Sequence, residues 1–398
     1  MDKDIRDIIE FIDKYVQQLK TAGFMHSEAV ERAFRKVRRD LLLETFWKFD
    51  RAGTALLSIK FDLSDPPPLE LIYSDEALIT RLDPDGRPSS STSQPALMAN
   101  MLELLDLKSG MRVLEIGAGT GYNAALMAEI IGNPTWVTTI DIQPDVIEQT
   151  SRLLAKAGYG EIRLLWRDGY LGCPERAPFD RIVGTVCCTD LSPHWAHQLA
   201  PAGKMLIPLQ HGGPNTTPLM KISKKNGNLS GRIAGWSGFM NIQGEMSIQH
   251  PWARAPWDSS LDESSIRRLP PLPEMPDCGW EWEKLTLLDF HYFLALEDGR
   301  TCNLQRGFGL WDENKGFVLS PSSKEQEPVT LLYGDESLYR EYLQIYERWR
   351  ALGRPRARDF VSEFHILSSV NAQPSLYKQG DSWVIERKFF RQIVKLES

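Results

Sequence analysis

Long apolar runs, paired cysteines and an excess of basic charge are all missing from this 398-residue chain. No segment approaches the roughly 18 consecutive apolar residues that a membrane-spanning helix needs, so the sequence predicts no membrane partner. The five cysteines (173, 187, 188, 278 and 302) are odd in number and have no C-x-x-C spacing. That predicts reduced thiols in a cytoplasmic protein rather than a disulfide framework. Met1-Asp-Lys-Asp-Ile-Arg6 runs straight into a helical pattern without a signal-peptide core, which agrees with that location. A net charge of -7 argues against nucleic acid as the main partner, since phosphate binding needs a concentrated basic surface. Peptide partners stay open. His194 and His197 share a helix face, but no third ligand candidate lies near them, so no metal site is predicted. There is no convincing Ser-His-Asp or Cys-His set, no internal repeat and no low-complexity tract.

The composition is that of a globular protein, 42% hydrophobic and 25% charged, and the length allows two domains. Ile5, Ile8, Ile9, Ile12, Val16 and Leu19 recur at helical spacing and predict an amphipathic helix ending near Gly23. Ser27 is a plausible N-cap for a second helix, with Val30, Ala33, Phe34 and Val37 on its apolar face. Residues 50–70 read as a strand-like run and an irregular Pro66-Pro67-Pro68 excursion. Asp83 to Gln94 reads as a polar loop before a helix over 96–105. Strands are predicted at 112–116, 136–140 and 162–166, alternating with helices at 122–131 and 144–157. A strand from Phe179, a helix near 193–200 and a strand from Gly203 follow. Asn226-Gly227 then marks a hairpin between Leu219–Ser223 and Arg232–Phe239. This order predicts a doubly wound α/β sheet with a reversed final strand. Past residue 245, proline-rich segments (Pro251 to Pro276) suggest a linker. The remainder carries tryptophans at 280, 282, 311, 349 and 383, read as core in preference to a peptide groove.

The most informative run is Arg112-Val-Leu-Glu-Ile-Gly-Ala-Gly-Thr-Gly-Tyr122. A strand breaks into alternating glycines at 117, 119 and 121, which let the backbone turn sharply and approach a ligand. Asp141, one helix and one strand further on, is placed to accept hydrogen bonds from ribose hydroxyls. Dinucleotides and S-adenosylmethionine both fit such a loop. The dinucleotide spacing is G-x-G-x-x-G, whereas this chain has G-x-G-x-G with Glu115 beside it. A pyrophosphate would be repelled by that carboxylate, while an ammonium and a sulfonium suit it. Charge therefore favours S-adenosylmethionine.

Several further segments occur with this run: Tyr73-Ser-Asp-Glu-Ala-Leu78, Thr92-Ser93-Gln94-Pro95, Arg167-Asp168-Gly169-Tyr170, Ala177-Pro-Phe-Asp180 and Leu199-Ala-Pro-Ala-Gly203-Lys-Met-Leu-Ile-Pro208. Together, in this order, they resemble the protein-L-isoaspartate O-methyltransferase family over about residues 5–245. The resemblance implies a Rossmann-like S-adenosylmethionine-dependent methyltransferase sheet with a helical N-terminal segment (1–70) and a core over 96–245. A proline-rich linker over 246–279 and a C-terminal accessory α+β domain over 280–398 complete the expected organisation. Trp349-Arg-Ala-Leu-Gly-Arg-Pro355 looks like the extensions of longer bacterial relatives, some of which modify aspartates in ribosomal peptides such as lanthipeptides and graspetides.

The resemblance also implies residue roles. Ser93, with Thr92, would form the catalytic loop that contacts the substrate carboxylate. Glu115 and the glycines 117, 119 and 121 would hold the methionine part of S-adenosylmethionine, with Ala118, Tyr122 and Asn123 also among the cofactor-binding residues. Asp141 would take the ribose, Asp168-Gly169 would face the adenine, and Ile142 belongs to the same cofactor-binding set. Blander readings stand beside these: Ser93 or Asp141 as helix caps, and Asp168 as a turn former. The implied substrate is a protein or peptide bearing isoaspartate or aspartate, and the product is S-adenosylhomocysteine. A methyl ester formed there would lead to a succinimide, in repair or in peptide tailoring. Gly213-Pro-Asn-Thr-Thr217 stands where the family often has Gly-Gln, and Thr185-Val-Cys-Cys-Thr189 gives a bulkier wall after the fourth strand. A methyltransferase of this fold acting on a small molecule or another nucleophile is the alternative.

Overall fold

A computed structural model describes residues 3–49, 56–60, 68–213, 217–247, 252, 262–276, 284–304, 307–321 and 329–397. The chain divides into two compact units. The first comprises 1–186, 194–206 and 243–245, and the second comprises 187–193, 207–242 and 246–398. Among the described residues no helix is long and apolar enough to cross a membrane.

The first unit opens with helices α1 (Lys3–Thr21) and α2 (Glu28–Lys36). Ser27 caps α2 through its side chain, which accepts from the Val30 amide, and Val30, Ala33 and Phe34 are buried at i, i+3 and i+4. An antiparallel sheet follows, formed by β1 (Thr45–Phe49), β2 (Leu56–Lys60), β3 (Leu78–Leu82) and β4 (Pro88–Thr92) in the order β2-β1-β3-β4. A short helix, α3 (Leu69–Ile72), precedes β3. Pro66 and Pro67 lie outside the described residues. The stretch expected as a polar loop over 83–94 is instead the turn and second strand of the β3–β4 hairpin. Asp83 closes the turn by accepting from the Asp85 and Arg87 amides. Ser90 and Thr92 alternate inward, and Ser90 meets Thr80 across the pair. Hydroxyls supply the inward face that apolar side chains supply elsewhere, so no hydrophobic alternation announced the strand.

Helix α4 (Pro95–Leu105) leads into β5 (Val113–Ile116), α5 (Tyr122–Ile131), β6 (Val137–Asp141), α6 (Pro144–Lys156), β7 (Arg163–Trp166), β8 (Phe179–Gly184), α7 (Pro193–Gln198) and β9 (Leu199–Pro208). The pairs β5–β6, β6–β7, β5–β8 and β8–β9 are all parallel. The resulting order, β9-β8-β5-β6-β7, switches direction at β5, so a crevice opens beyond the carboxyl end of that strand.

The second unit contains the hairpin β10 (Thr217–Lys225) and β11 (Asn228–Ser237). Asn226 and Gly227 both have positive φ, 52° and 83°, as a two-residue turn of this hand requires. After β12 (Arg267–Leu269) come α8 (Leu287–Glu297), β13 (Thr301–Leu304), β14 (Gly307–Asp312), β15 (Gly316–Ser320), β16 (Thr330–Gly334) and α9 (Glu336–Ala351). The strands β12 to β16 form a five-stranded sheet ordered β12-β16-β15-β14-β13. The chain ends with β17 (Phe360–Ile366), β18 (Ser375–Gln379), β19 (Ser382–Glu386) and β20 (Phe390–Leu396). Strand β11 pairs with β17, β17 with β20, β20 with β19, and β19 with β18, all antiparallel. Residues 207–242, expected to end the first domain, thus group with the C-terminal strands, because a shared ladder outweighs chain proximity. Part of the expected linker is a strand, Arg267–Leu269, paired to β16. Trp349 and Trp383 are buried, with indole N–H groups donating to the Pro355 carbonyl and the Glu297 carboxylate. Trp311 packs against the cluster of Cys302, Phe317 and Leu319. Trp280 and Trp282 lie outside the described residues.

Candidate active site

The glycine run forms the turn between β5 and α5, at the carboxyl end of the central strand. Gly119 has φ +51°, and a Cβ there would come 3.0 Å from the Ser91 carbonyl. Gly117 has φ +104°, and its Cβ would press on Thr185 Oγ1 at 2.8 Å and Val186 Cγ1 at 2.9 Å. Only glycine meets both the dihedral and the space. Gly121 begins α5 in the left-handed region, and Thr150 Oγ1 donates to the Gly119 carbonyl at 2.5 Å.

The acids predicted around this loop converge on it. Asp141 ends β6, and its Oδ2 accepts from the Ala118 and Gly119 amides at 3.1 and 3.4 Å. Its Oδ1 accepts from the Gln143 amide at 3.1 Å. Burial raises its pKa against these hydrogen bonds. The N-cap position of α6 is Gln143, so Asp141 stitches the loop to the strand end instead of capping the helix. Glu115 is fully buried and accepts from Thr139 Oγ1 at 2.6 Å and Asn123 Nδ2 at 2.7 Å. Burial pushes it up to about 7, the two side-chain hydrogen bonds pull it down, and Asp141 adds a smaller upward push. Asn123 Oδ1 is buried without a hydrogen-bond partner.

Asp168 accepts from the Tyr170 amide through Oδ1 and from the Glu245 amide through Oδ2, at 2.9 and 2.8 Å. The turn-forming reading of this residue therefore describes its geometry. Gly169 packs so closely on Ile116 that a Cβ would meet its Cγ2 at 2.6 Å, and the Gly169 carbonyl accepts from Trp195 Nε1 at 2.8 Å. The Ile142 carbonyl accepts from Trp166 Nε1 at 3.0 Å. A Cβ on Gly244 would contact both the Ile142 side chain and the Asp168 carboxylate. Residues 243–245 thus close over the same two residues, a contact that sequence reasoning missed.

The side chain of Tyr122 points away from the glycine loop. Its ring lies buried edge-on to Phe34, and its hydroxyl is 3.4 Å from that of Tyr15. Consecutive helical positions point about 100° apart; Asn123 faces β5, so Tyr122 faces the N-terminal helices.

Thr92 ends β4, and its Oγ1 is buried with no hydrogen-bond partner. The following residue, Ser93, is half-buried. Ser93 is not a helix cap: the N-cap position of α4 is Gln94, and the Ala96 amide is taken by Asp75 Oδ1 at 2.7 Å. The β4 strand is held against the glycine loop by the Ser91–Gly119 approach and by Gln143 Nε2, which donates to the Ser89 carbonyl at 3.1 Å. Arg39, fully buried, reaches the Ser93 carbonyl. Nothing in the Arg38-Arg39-Asp40 run distinguished it from a solvated charge cluster. Of the residues that departed from the expected pattern, 214–216 lie outside the described residues. Thr185 Oγ1 donates to the Ile116 and Gly117 carbonyls at 3.0 and 2.6 Å, bracing the loop.

The donor set fits a cation better than a pyrophosphate. A fully buried carboxylate (Glu115), a half-buried one (Asp141), a bare amide oxygen and a glycine cradle surround the crevice, and among the described residues no basic side chain forms an ion pair with either acid. A sequence profile of protein-L-isoaspartate(D-aspartate) O-methyltransferases matches residues 12–245. The chain is 31% identical over 250 residues to a protein-L-isoaspartate O-methyltransferase of Pyrococcus horikoshii, covering 63% of this chain and 98% of that one. It is 38% identical over 192 residues to that of Hyperthermus butylicus, covering 45% and 77%. A solved protein-L-isoaspartate O-methyltransferase superposes with a TM-score of 0.51 at 22% identity, over 88% of this chain and 96% of the other. That likeness of fold extends past the residues the family profile matches.

Proposed function

The chain belongs to the protein-L-isoaspartate(D-aspartate) O-methyltransferase family, and from that membership we propose that the Thr92-Ser93 loop receives the free carboxylate of an isoaspartyl residue in a protein or peptide for methylation. The enzyme is an S-adenosylmethionine-dependent methyltransferase. The observation that carries the acceptor assignment is the approach of β4 to the glycine loop, Ser91 against Gly119, with the buried hydroxyl of Thr92 left bare beside it.

S-adenosylmethionine, when bound, supplies a methyl group on a positively charged sulfur. Glu115, Asn123, Asp141 and the main chain of 117–121 are the groups that would hold it, with Ile142, Asp168 and Gly169 at the adenine end. An acceptor carboxylate, with a pKa of about 4, is ionised at neutral pH and needs no general base. The loop's task is alignment and exclusion of water, which is worth on the order of 7–11 kcal/mol. Ser93 donates a hydrogen bond to one carboxylate oxygen and leaves the other free to attack. The ester formed is an acyl donor: the next backbone amide nitrogen displaces methanol and closes a succinimide. With an isoaspartyl acceptor this is repair; with an aspartyl acceptor in a ribosomal peptide it is tailoring.

Methyl transfer to an isoaspartyl peptide and to its aspartyl twin tests the reading. Labelling of the first alone supports repair, and labelling of the second supports tailoring. Labelling of neither would point to a small-molecule acceptor. Ser93→Ala is expected to lower kcat about 100-fold while leaving the Kd for S-adenosylmethionine within about threefold. A loss of cofactor binding would instead make Ser93 a cofactor ligand.

A further inference from the structure

Arg39 is fully buried, yet its guanidinium has only main-chain partners. Nη1 donates to the Ile72 and Ser74 carbonyls at 2.7 and 3.1 Å. Nη2 donates to the Glu76 and Ser93 carbonyls at 2.9 and 3.2 Å. Nε is buried without a hydrogen-bond partner, and the Tyr122 ring lies 5.8 Å from the guanidinium carbon. Among the described residues no carboxylate forms an ion pair with it. Asp40, next in the chain, is engaged by Arg38 and by the Tyr73 hydroxyl.

Burying a cation without an anionic partner is costly, and tying four carbonyls together does not require a charge. A positive centre placed directly behind Ser93 acquires a use when an anion arrives on the other side of that residue. The low-dielectric surroundings leave its field poorly screened there. The guanidinium fork also fixes the turn at 72–76 and the Ser93 backbone relative to each other, so the hydroxyls of Thr92 and Ser93 are presented in one arrangement.

We propose that Arg39 is the positioning residue of the acceptor site, holding the Ser93 backbone through its fork and selecting an ionised acceptor through its buried charge. The proposal rests on the reading of the Thr92-Ser93 loop as the acceptor site. Its two parts separate by substitution: Arg39→Lys keeps the charge and loses the fork, and Arg39→Met loses both at similar volume.

The test uses the full chain, an isoaspartyl peptide as substrate, and the same peptide with that carboxylate replaced by a carboxamide as competitive inhibitor. Wild type is expected to prefer the acid by about tenfold or more, taken as the ratio of inhibitor Ki to substrate KM. Arg39→Lys should keep that preference within about threefold and lose about tenfold in kcat. Arg39→Met should bring the preference to about unity. The Kd for S-adenosylmethionine, measured by calorimetry, should stay within about threefold in both variants, a pattern that general structural damage would not give. If the methionine variant fails to melt cooperatively, Arg39→Gln supplies a second neutral side chain able to donate to the same carbonyls. A folded neutral variant that keeps the wild-type preference, or a lysine variant with wild-type kcat, overturns the proposal. Failure of wild type to methylate any aspartyl or isoaspartyl peptide defeats the acceptor reading itself and this proposal with it, and it is visible before any substitution is made.

Discussion

Replacing Glu115 by glutamine should stabilise the free enzyme and weaken its hold on the cofactor, two effects of opposite sign from one atom. Glu115 is fully buried, and its pKa is raised from the usual 4.5 to about 7. The unfolded chain therefore loses this proton at lower pH than the folded one. Stability is highest below pH 4.5 as far as this group is concerned, falls as pH rises through about 7, and is level above that. The full difference corresponds to roughly 3 kcal/mol. Glutamine does not titrate, so the fall should vanish in the variant. The amide is accommodated, because Asn123 Oδ1 has no partner and an amide flip turns it towards the new N–H. At pH 8 the variant should be more stable by about 2 kcal/mol, read as about 2–4 °C per kcal/mol in a thermal melt. A carboxylate some 5 Å from a cation at an effective dielectric of about 20 contributes roughly 3 kcal/mol. Calorimetry should accordingly show S-adenosylmethionine bound about 100-fold more weakly. Melts from pH 5 to 8.5, with and without the cofactor, measure both effects. A variant that melts lower than wild type at pH 8, or that binds with wild-type affinity, would refute the assignment of Glu115 as the buried anion facing the cofactor.

Gly117→Ala should destabilise by about 2–4 kcal/mol, since φ is +104° and the new Cβ meets Thr185 and Val186. Gly227→Ala, at φ +83° with open space around it, should cost only about 1 kcal/mol; equal shifts in denaturant midpoint would show that space at Gly117 is not limiting. Tyr122→Phe should leave the Kd for S-adenosylmethionine within about twofold, because the hydroxyl faces Tyr15. A loss of tenfold or more in a binding titration would return Tyr122 to the cofactor site.

The parallel core was readable because its signals are local and redundant. Apolar strands, glycine or proline punctuation and helical periodicity agree over 112–208, and Asn226-Gly227 names its own turn. The β3–β4 hairpin was not readable, because its buried face is made of Ser90 and Thr92, whose side chains carry no hydrophobic period. Arg39 was hidden for a related reason. Its partners are carbonyls of residues 72, 74, 76 and 93, and a carbonyl leaves no mark in a sequence. The direction of the Tyr122 side chain was hidden as well, because adjacency to a glycine loop says nothing about which side of the helix a residue occupies.

The same limit bears on the acids. Spacing nominated Asp141 as a ligand holder, charge beside the glycine run nominated Glu115, and the family resemblance nominated Asp168, with capping or turn formation as the rival reading for the two aspartates. In the fold all three are already engaged: Asp141 by the loop amides and Gln143, Asp168 by Tyr170 and Glu245, and Glu115 by Thr139 and Asn123. The two readings do not compete. An ionised carboxylate offers about four lone-pair directions, so two or three protein donors fix its orientation without exhausting it. A ligand then meets an acid that needs no rearrangement, which is the condition under which a buried charge contributes most to binding. A carboxylate free of such partners would be a poorer ligand holder, because ordering it would fall to the binding step. Amide-fixed carboxylates at Asp168 and Asp141 are therefore compatible with a preorganised cofactor site, and among the described residues no basic side chain forms an ion pair with either.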